Sequence, residues 1–250
     1  MQLINPATEQ VLTEVADASP ADVRTAVESA QHAWEAGWRN LAPGQRADIL
    51  FAIARVIREH LEELAQLECA NIGKPISDAR DEIGLGARVF EYYAGAIGKF
   101  CGQTIPVARG GLDFTLREPM GVIAAIVPWN FPFPIACWKA APALAAGNCV
   151  VLKPASLSPL TALALGELAH AAGLPPGKII LTLDAIRPEI YDPAKAEEGR
   201  HGTWGQMRAY VRERATALGF VVIDLDEVFR TSFERDGQRF ESSSDNHWNG

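Results

Sequence analysis

Val127 to Ala155 reads VPWNFPFPIACWKAAPALAAGNCVVLKPA, a Pro-Trp-Asn turn set between two apolar runs. Val122 to Pro128 (VIAAIVP) and Cys149 to Pro154 (CVVLKP) read as short buried strands, and Ile135 to Ala146 between them reads as a helix. This order predicts a βαβ unit, and hence a parallel pair of strands. In open parallel sheets the ligand crevice lies beyond the carboxyl ends of the strands. Trp129, Asn130 and Lys153 fall at those ends.

Working outward, Ser19 predicts a helix N-cap with Pro20 at the first helical position, opening a helix to about Ala36. A second helix is expected from Pro43 to Ile72, with Leu50, Ile53, Val56, Ile57, Leu61 and Leu64 on one buried face and Gly73 as its stop. A third is expected over about Ser77 to Phe100. Gly110-Gly111 marks a turn, after which Leu112 to Arg117 (LDFTLR) alternates like a half-exposed strand. Thr161 to Ala172 predicts a further helix, closed by Gly173. Beyond Gly177, Lys178 to Asp184 (KIILTLD) is strand-like and able to pair beside Cys149 to Pro154. A polar loop, a helix over Thr203 to Leu218 and a strand over Phe220 to Leu225 follow.

With 250 residues, 48% hydrophobic and 22% charged, the chain has the composition of a globular protein large enough for a substantial core. Its formal net charge of -8 and lack of Lys/Arg blocks argue against nucleic acid and against an acidic membrane surface. Gly121 to Leu152 is long and poor in charge, but its prolines, Asn130, Lys139 and Asn148 mark a buried βαβ core rather than a membrane span. The four cysteines form no CxxC pair, and MQLINPATEQ has no signal-peptide pattern, so reduced thiols and a cytoplasmic location are expected. No metal-binding spacing, GxGxxG or Walker A motif occurs.

PWNFP, WKAAPALAAGN, VVLKPASLSPLTAL and GLPPG resemble, in that order, the cofactor domain of the NAD(P)-dependent aldehyde dehydrogenase superfamily. INPATEQVL (Ile4 to Leu12), NIGKP (Asn71 to Pro75) and REPMGV (Arg117 to Val122) fit the same family, so the resemblance covers about residues 1–177. It implies an α/β fold: an incomplete Rossmann-like parallel sheet with N-terminal helices, followed by a short α/β tail. It also implies NAD or NADP as cofactor, a small aldehyde as substrate, and a homo-oligomer built through the 112–117 strand. That strand is equally compatible with an ordinary sheet edge.

Aldehyde oxidation in this family needs a cysteine thiolate, a hydride acceptor and a carboxylate that activates water. By resemblance, Asn130 donates its side-chain amide to the oxyanion. Ile126, Val127, Pro128 and Trp129 form the floor under the cofactor, and Lys153 holds the ribose hydroxyls or a 2'-phosphate. Ser156 stands where NAD-preferring members often carry Glu. A neutral side chain there does not repel a 2'-phosphate, so NADP is expected to bind at least as well as NAD.

The family's nucleophile lies in a Gly-Gln-x-Cys context and its general base in a Glu-Leu-Gly-Gly context, and neither occurs in these 250 residues. Cys69, Cys101, Cys137 and Cys149 sit on predicted helices or strands and read as buried, inert thiols. The expectation is therefore an aldehyde dehydrogenase-like chain that is inactive alone.

Residues 178–250 resemble the C-terminal part of SGNH-type hydrolases, with Asp245, His247, Trp248 and Asn249 matching the acid-base block. That family's Gly-Asp-Ser nucleophile turn does not occur here. Three alternatives to the oxidoreductase reading stay open: a non-catalytic nucleotide-binding or interaction module, an ester hydrolase using Asp245 and His247 with a serine outside the family's motif, and a product of gene rearrangement with no selected function.

Overall fold

The computed structural model describes residues 1–181. These belong to a unit of residues 1–18 and 24–184, save residues 19–23, which cluster with a second unit. The element order opens with an antiparallel hairpin of β1 (Gln2–Ile4) and β2 (Val11–Glu14). Its turn is closed locally: Asn5 Oδ1 accepts the Ala7 amide at 2.9 Å, and Glu9 takes φ 60°. This hairpin was not assigned from INPATEQVL.

Helix α1 (Pro20–Glu35) starts where Ser19-Pro20 predicts. Ser19 donates its amide to Asp22 Oδ2 at 2.8 Å, and the Asp22 amide donates back to the Ser19 hydroxyl at 3.3 Å, a reciprocal cap on the first turn. The single helix expected over 43–72 is two, α2 (Pro43–Glu59) and α3 (Leu61–Ile72), divided at His60 (φ −102°, ψ 18°). The apolar pattern runs through the break because both segments face the same core, so periodicity does not reveal it. Gly73 ends α3 in the left-handed region (φ 73°), and its amide closes on the Cys69 carbonyl at 2.9 Å.

Helix α4 (Ile76–Ala96) is shorter than expected. It passes into a 3-10 turn at Ile97–Lys99, leaving Cys101 exposed and outside any helix. A ribbon of β3 (Thr104–Ile105) and β4 (Asp113–Phe114) follows. The strand expected over 112–117 is thus two residues long and exposed on both faces; Leu112 and Leu116 also lie open to solvent.

The βαβ unit is present: β5 (Val122–Ile126), α5 (Pro132–Ala145) and β6 (Cys149–Lys153). Pro132 at the start of α5 gives up no helix bond, and Gly147 (φ 88°) turns the chain into β6. After α6 (Leu160–Ala171), β7 (Ile179–Leu181) pairs parallel with β6, so the sheet order is β5-β6-β7. Strand β6 is central, and its first four residues are buried. Beside the sheet lies one continuous core in which Ile53, Ile57, Ile83 and Phe90 meet Phe133, Leu144, Leu152 and Leu165.

Among the described residues, no helix is long and apolar enough to cross a membrane, and no group of three metal-ligating side chains occurs.

Candidate functional site

Parallel register sets Ile126 opposite Lys153, and the Val127 amide donates to the Lys153 carbonyl at 2.9 Å. The carboxyl ends of β5 and β6 therefore finish level. The Pro128-Trp129-Asn130 turn leaves one, and the loop carrying Ser156 leaves the other. Ile126, Pro128 and Trp129 are exposed, whereas Val127 is packed in the core at 2% exposure. Lys153 and Asn130 are half-buried and Ser156 is buried.

Helix α3 and the residues just after it hold both loops. The Asn71 amide nitrogen donates to the Leu157 carbonyl at 3.0 Å, and its oxygen accepts the Leu160 amide at 3.2 Å. One buried side chain thus spans the segment that follows Ser156. One turn earlier, Glu68 accepts the Thr161 hydroxyl at 2.6 Å. Its Oε1 and the Ser158 hydroxyl are buried without a hydrogen-bond partner among the described residues. Burial pushes the Glu68 carboxyl above its usual range, against the opposing pull of Thr161, the Lys74 ammonium and the Phe133 amide.

Lys74 reaches the other loop. Its ammonium bridges both carboxylate oxygens of Glu82, donates to the Asn130 carbonyl at 3.1 Å, and stands 4.4 Å from the Phe131 ring centroid. Asn71, Lys74 and Glu82 were not singled out from sequence. The signal available was two polar residues flanking a helix-stop glycine in NIGKP, and their partners lie too far along the chain to be read from spacing.

The cysteines take no part. Burial pushes the Cys149 thiol up to about 11 and Cys137 well above its ordinary value, and Cys69 is also raised. Asp245 and His247, proposed as a hydrolase pair, lie outside the described residues.

The two strand ends thus finish level, with Lys153 closing β6 and the Trp129-Asn130 turn following β5.

Comparison with known proteins gives this arrangement a context. The sequence model of the Aldehyde dehydrogenase family matches residues 1–186, past Gly177 and across β7. The chain is 45% identical over 177 residues to DhaS of Bacillus subtilis (strain 168), covering 70% of this chain and 36% of that protein. It is 44% identical over 178 residues to the NADP/NAD-dependent aldehyde dehydrogenase PuuC of Escherichia coli (strain K12), with the same coverage. Among solved structures, apo indole-3-acetaldehyde dehydrogenase superposes with a TM-score of 0.72 at 42% identity, over 74% of this chain and 44% of that one. The NAD+ complex of aldehyde dehydrogenase from Bacillus cereus superposes with the same TM-score at 41% identity, over 74% and 38%. The chain spans about a third of the length of the curated relatives it matches.

Proposed function

The chain belongs to the aldehyde dehydrogenase family, and from that premise we propose that residues 1–177 bind NAD or NADP, as part of a machinery that oxidises small aldehydes to carboxylic acids. The observation that supports this reading is the level ending of β5 and β6, with Ile126 opposite Lys153 and the Trp129-Asn130 turn following β5. Relatives described as NADP/NAD-dependent, or solved with NAD+, support the cofactor class.

Each residue then has a task. Ile126, Pro128 and Trp129 present the surface on which the dinucleotide lies, and Val127 anchors that surface from below. The Lys153 ammonium meets ribose hydroxyls or a 2'-phosphate, while neutral Ser156 leaves the phosphate unopposed. The Asn130 amide is aimed at the oxyanion of a reacting carbonyl. The cofactor, when bound, accepts hydride.

A polypeptide of these 250 residues has neither the Gly-Gln-x-Cys nor the Glu-Leu-Gly-Gly context, and its core thiols are held protonated by burial. It should therefore bind cofactor without turning over aldehyde. The β3–β4 ribbon, with Leu112, Phe114 and Leu116 exposed, is the surface for a second copy of the chain.

Calorimetric titration of the purified chain with NAD and NADP tests the reading. Both should bind, NADP at least as tightly, and Lys153→Ala should weaken both. Failure of both to bind would reject the cofactor role, and a clear NAD preference would reject the role of Ser156. Cofactor-dependent oxidation across an aldehyde panel would refute the inactivity, and a monomer by sedimentation would refute the ribbon contact.

A further inference from the structure

Lys74 belongs to no strand and to neither crevice loop, yet its ammonium donates a hydrogen bond to the Asn130 carbonyl of the Pro-Trp-Asn turn. We propose that Lys74 is a positioning residue: it fixes the peptide after Asn130, and through it the placement of the Asn130 amide and the Trp129 floor. This rests on the reading of that turn as the cofactor and oxyanion site.

The geometry favours positioning over simple ion pairing. Lys74 and Glu82 side chains are 13% and 12% exposed, so the pair is largely withdrawn from water and its direction is defined. Glu82, on α4, holds the ammonium from one side, while the Asn130 carbonyl accepts from it on another. The Phe131 ring covers it at 4.4 Å, a distance suited to cation–π attraction. The ammonium is thereby committed to three partners, two of which are successive residues of the turn. Gly73 adds to the fixity. Its left-handed φ of 73° sets the chain direction into Lys74, and a Cβ there would stand 2.9 Å from Pro6 Cγ. An ion pair serving stability alone would need neither the Asn130 nor the Phe131 contact.

Separating the two roles requires removing the charge pair without leaving a buried charge. Lys74→Met keeps an unbranched stem against Phe131 but strands Glu82. The double variant Lys74→Met/Glu82→Gln removes both charges, so its melting temperature should recover most of what Lys74→Met loses. Cofactor affinity should stay down by roughly tenfold, the scale of a lost charged hydrogen bond. In the unliganded full chain, amide exchange at residues 129–131 should also stay faster. Glu82→Gln alone keeps the Lys74 bond to Asn130 and should leave that exchange near the wild-type rate. Affinity and exchange recovering together with melting temperature in the double variant would overturn the proposal. So would Glu82→Gln loosening the turn as far as the Lys74 variants do. If the wild-type chain binds neither cofactor, the proposed function fails, while the exchange rates still decide whether Lys74 positions the turn.

Discussion

Asn148 accepts the Gly121 amide on its side-chain oxygen at 2.9 Å, and Gly121 in turn accepts the Cys149 amide at 2.8 Å. The entries of β5 and β6 are thus tied by a side chain as well as by the sheet. The same residue donates its amide nitrogen to the Ala143 carbonyl at 3.1 Å, and its own carbonyl accepts the Trp38 indole at 2.9 Å. Asn148→Ala should cost about 2–3 kcal/mol, because the Gly121 donor is left buried without a partner. Urea denaturation measures this, and a loss below about 0.5 kcal/mol would show that water replaces the side chain.

Helices α4 and α5 meet at a glycine. A Cβ on Gly86 would lie 2.5 Å from Phe133 Cε1 and 2.9 Å from Cys137 Sγ. Gly86→Ala should therefore destabilise by about 1–3 kcal/mol through forced displacement of the Phe133 ring. Gly95, later on the same helix, has nothing within 4 Å of its built Cβ. Gly95→Ala should stabilise by about 0.5–1 kcal/mol from helix propensity alone. Thermal melts of the two variants should move in opposite directions.

The Glu68 carboxyl, raised by burial, gives a pH dependence of defined sign. The folded state holds this proton more tightly than the unfolded chain, so its contribution is present in acid and is lost as pH rises through the folded value. Glu68→Gln removes the titration. The variant's stability relative to wild type should be greater near about pH 8 than near about pH 5 in chemical denaturation. Comparing variant with wild type isolates this group from Asp22, Glu62 and Glu91. Those carboxyls are lowered by Ser19, Arg80 and Arg58, Glu62 to about 2, and they favour the folded state at neutral pH instead. A greater relative gain in acid would contradict the assignment.

Thiol reactivity should divide by burial. Cys101 is exposed, while Cys137 and Cys149 are fully buried and hold their protons into alkaline pH. A disulfide reagent near neutral pH should label Cys101 in the native chain, and Cys137 and Cys149 only after denaturant. Native labelling of either buried thiol at the rate of Cys101 would revive it as a nucleophile.

The βαβ unit was legible because both strands are apolar and the prolines and Gly147 bound the helix between them. The third strand was legible in KIILTLD for the same reason, and Ile179–Leu181 pairs as it suggested. What sequence hid was of two kinds. The division of α2 from α3 at His60 leaves the buried face in phase, so no change of period marks it. The supports of the crevice, Asn71 and Lys74, act on carbonyls and amides 56 to 89 residues away. Backbone partners carry no side-chain signature, and only the folded chain reveals them.

Glu68, Asn71 and Lys74 follow one another at intervals of three along α3 and its exit; the first two bond Thr161, Leu157 and Leu160 at the start of α6 and just before it, and the third bonds Asn130. One short helical segment is therefore bonded to both chain segments that follow the strand ends, so the spacing between them is set from the helical layer and not by the sheet alone.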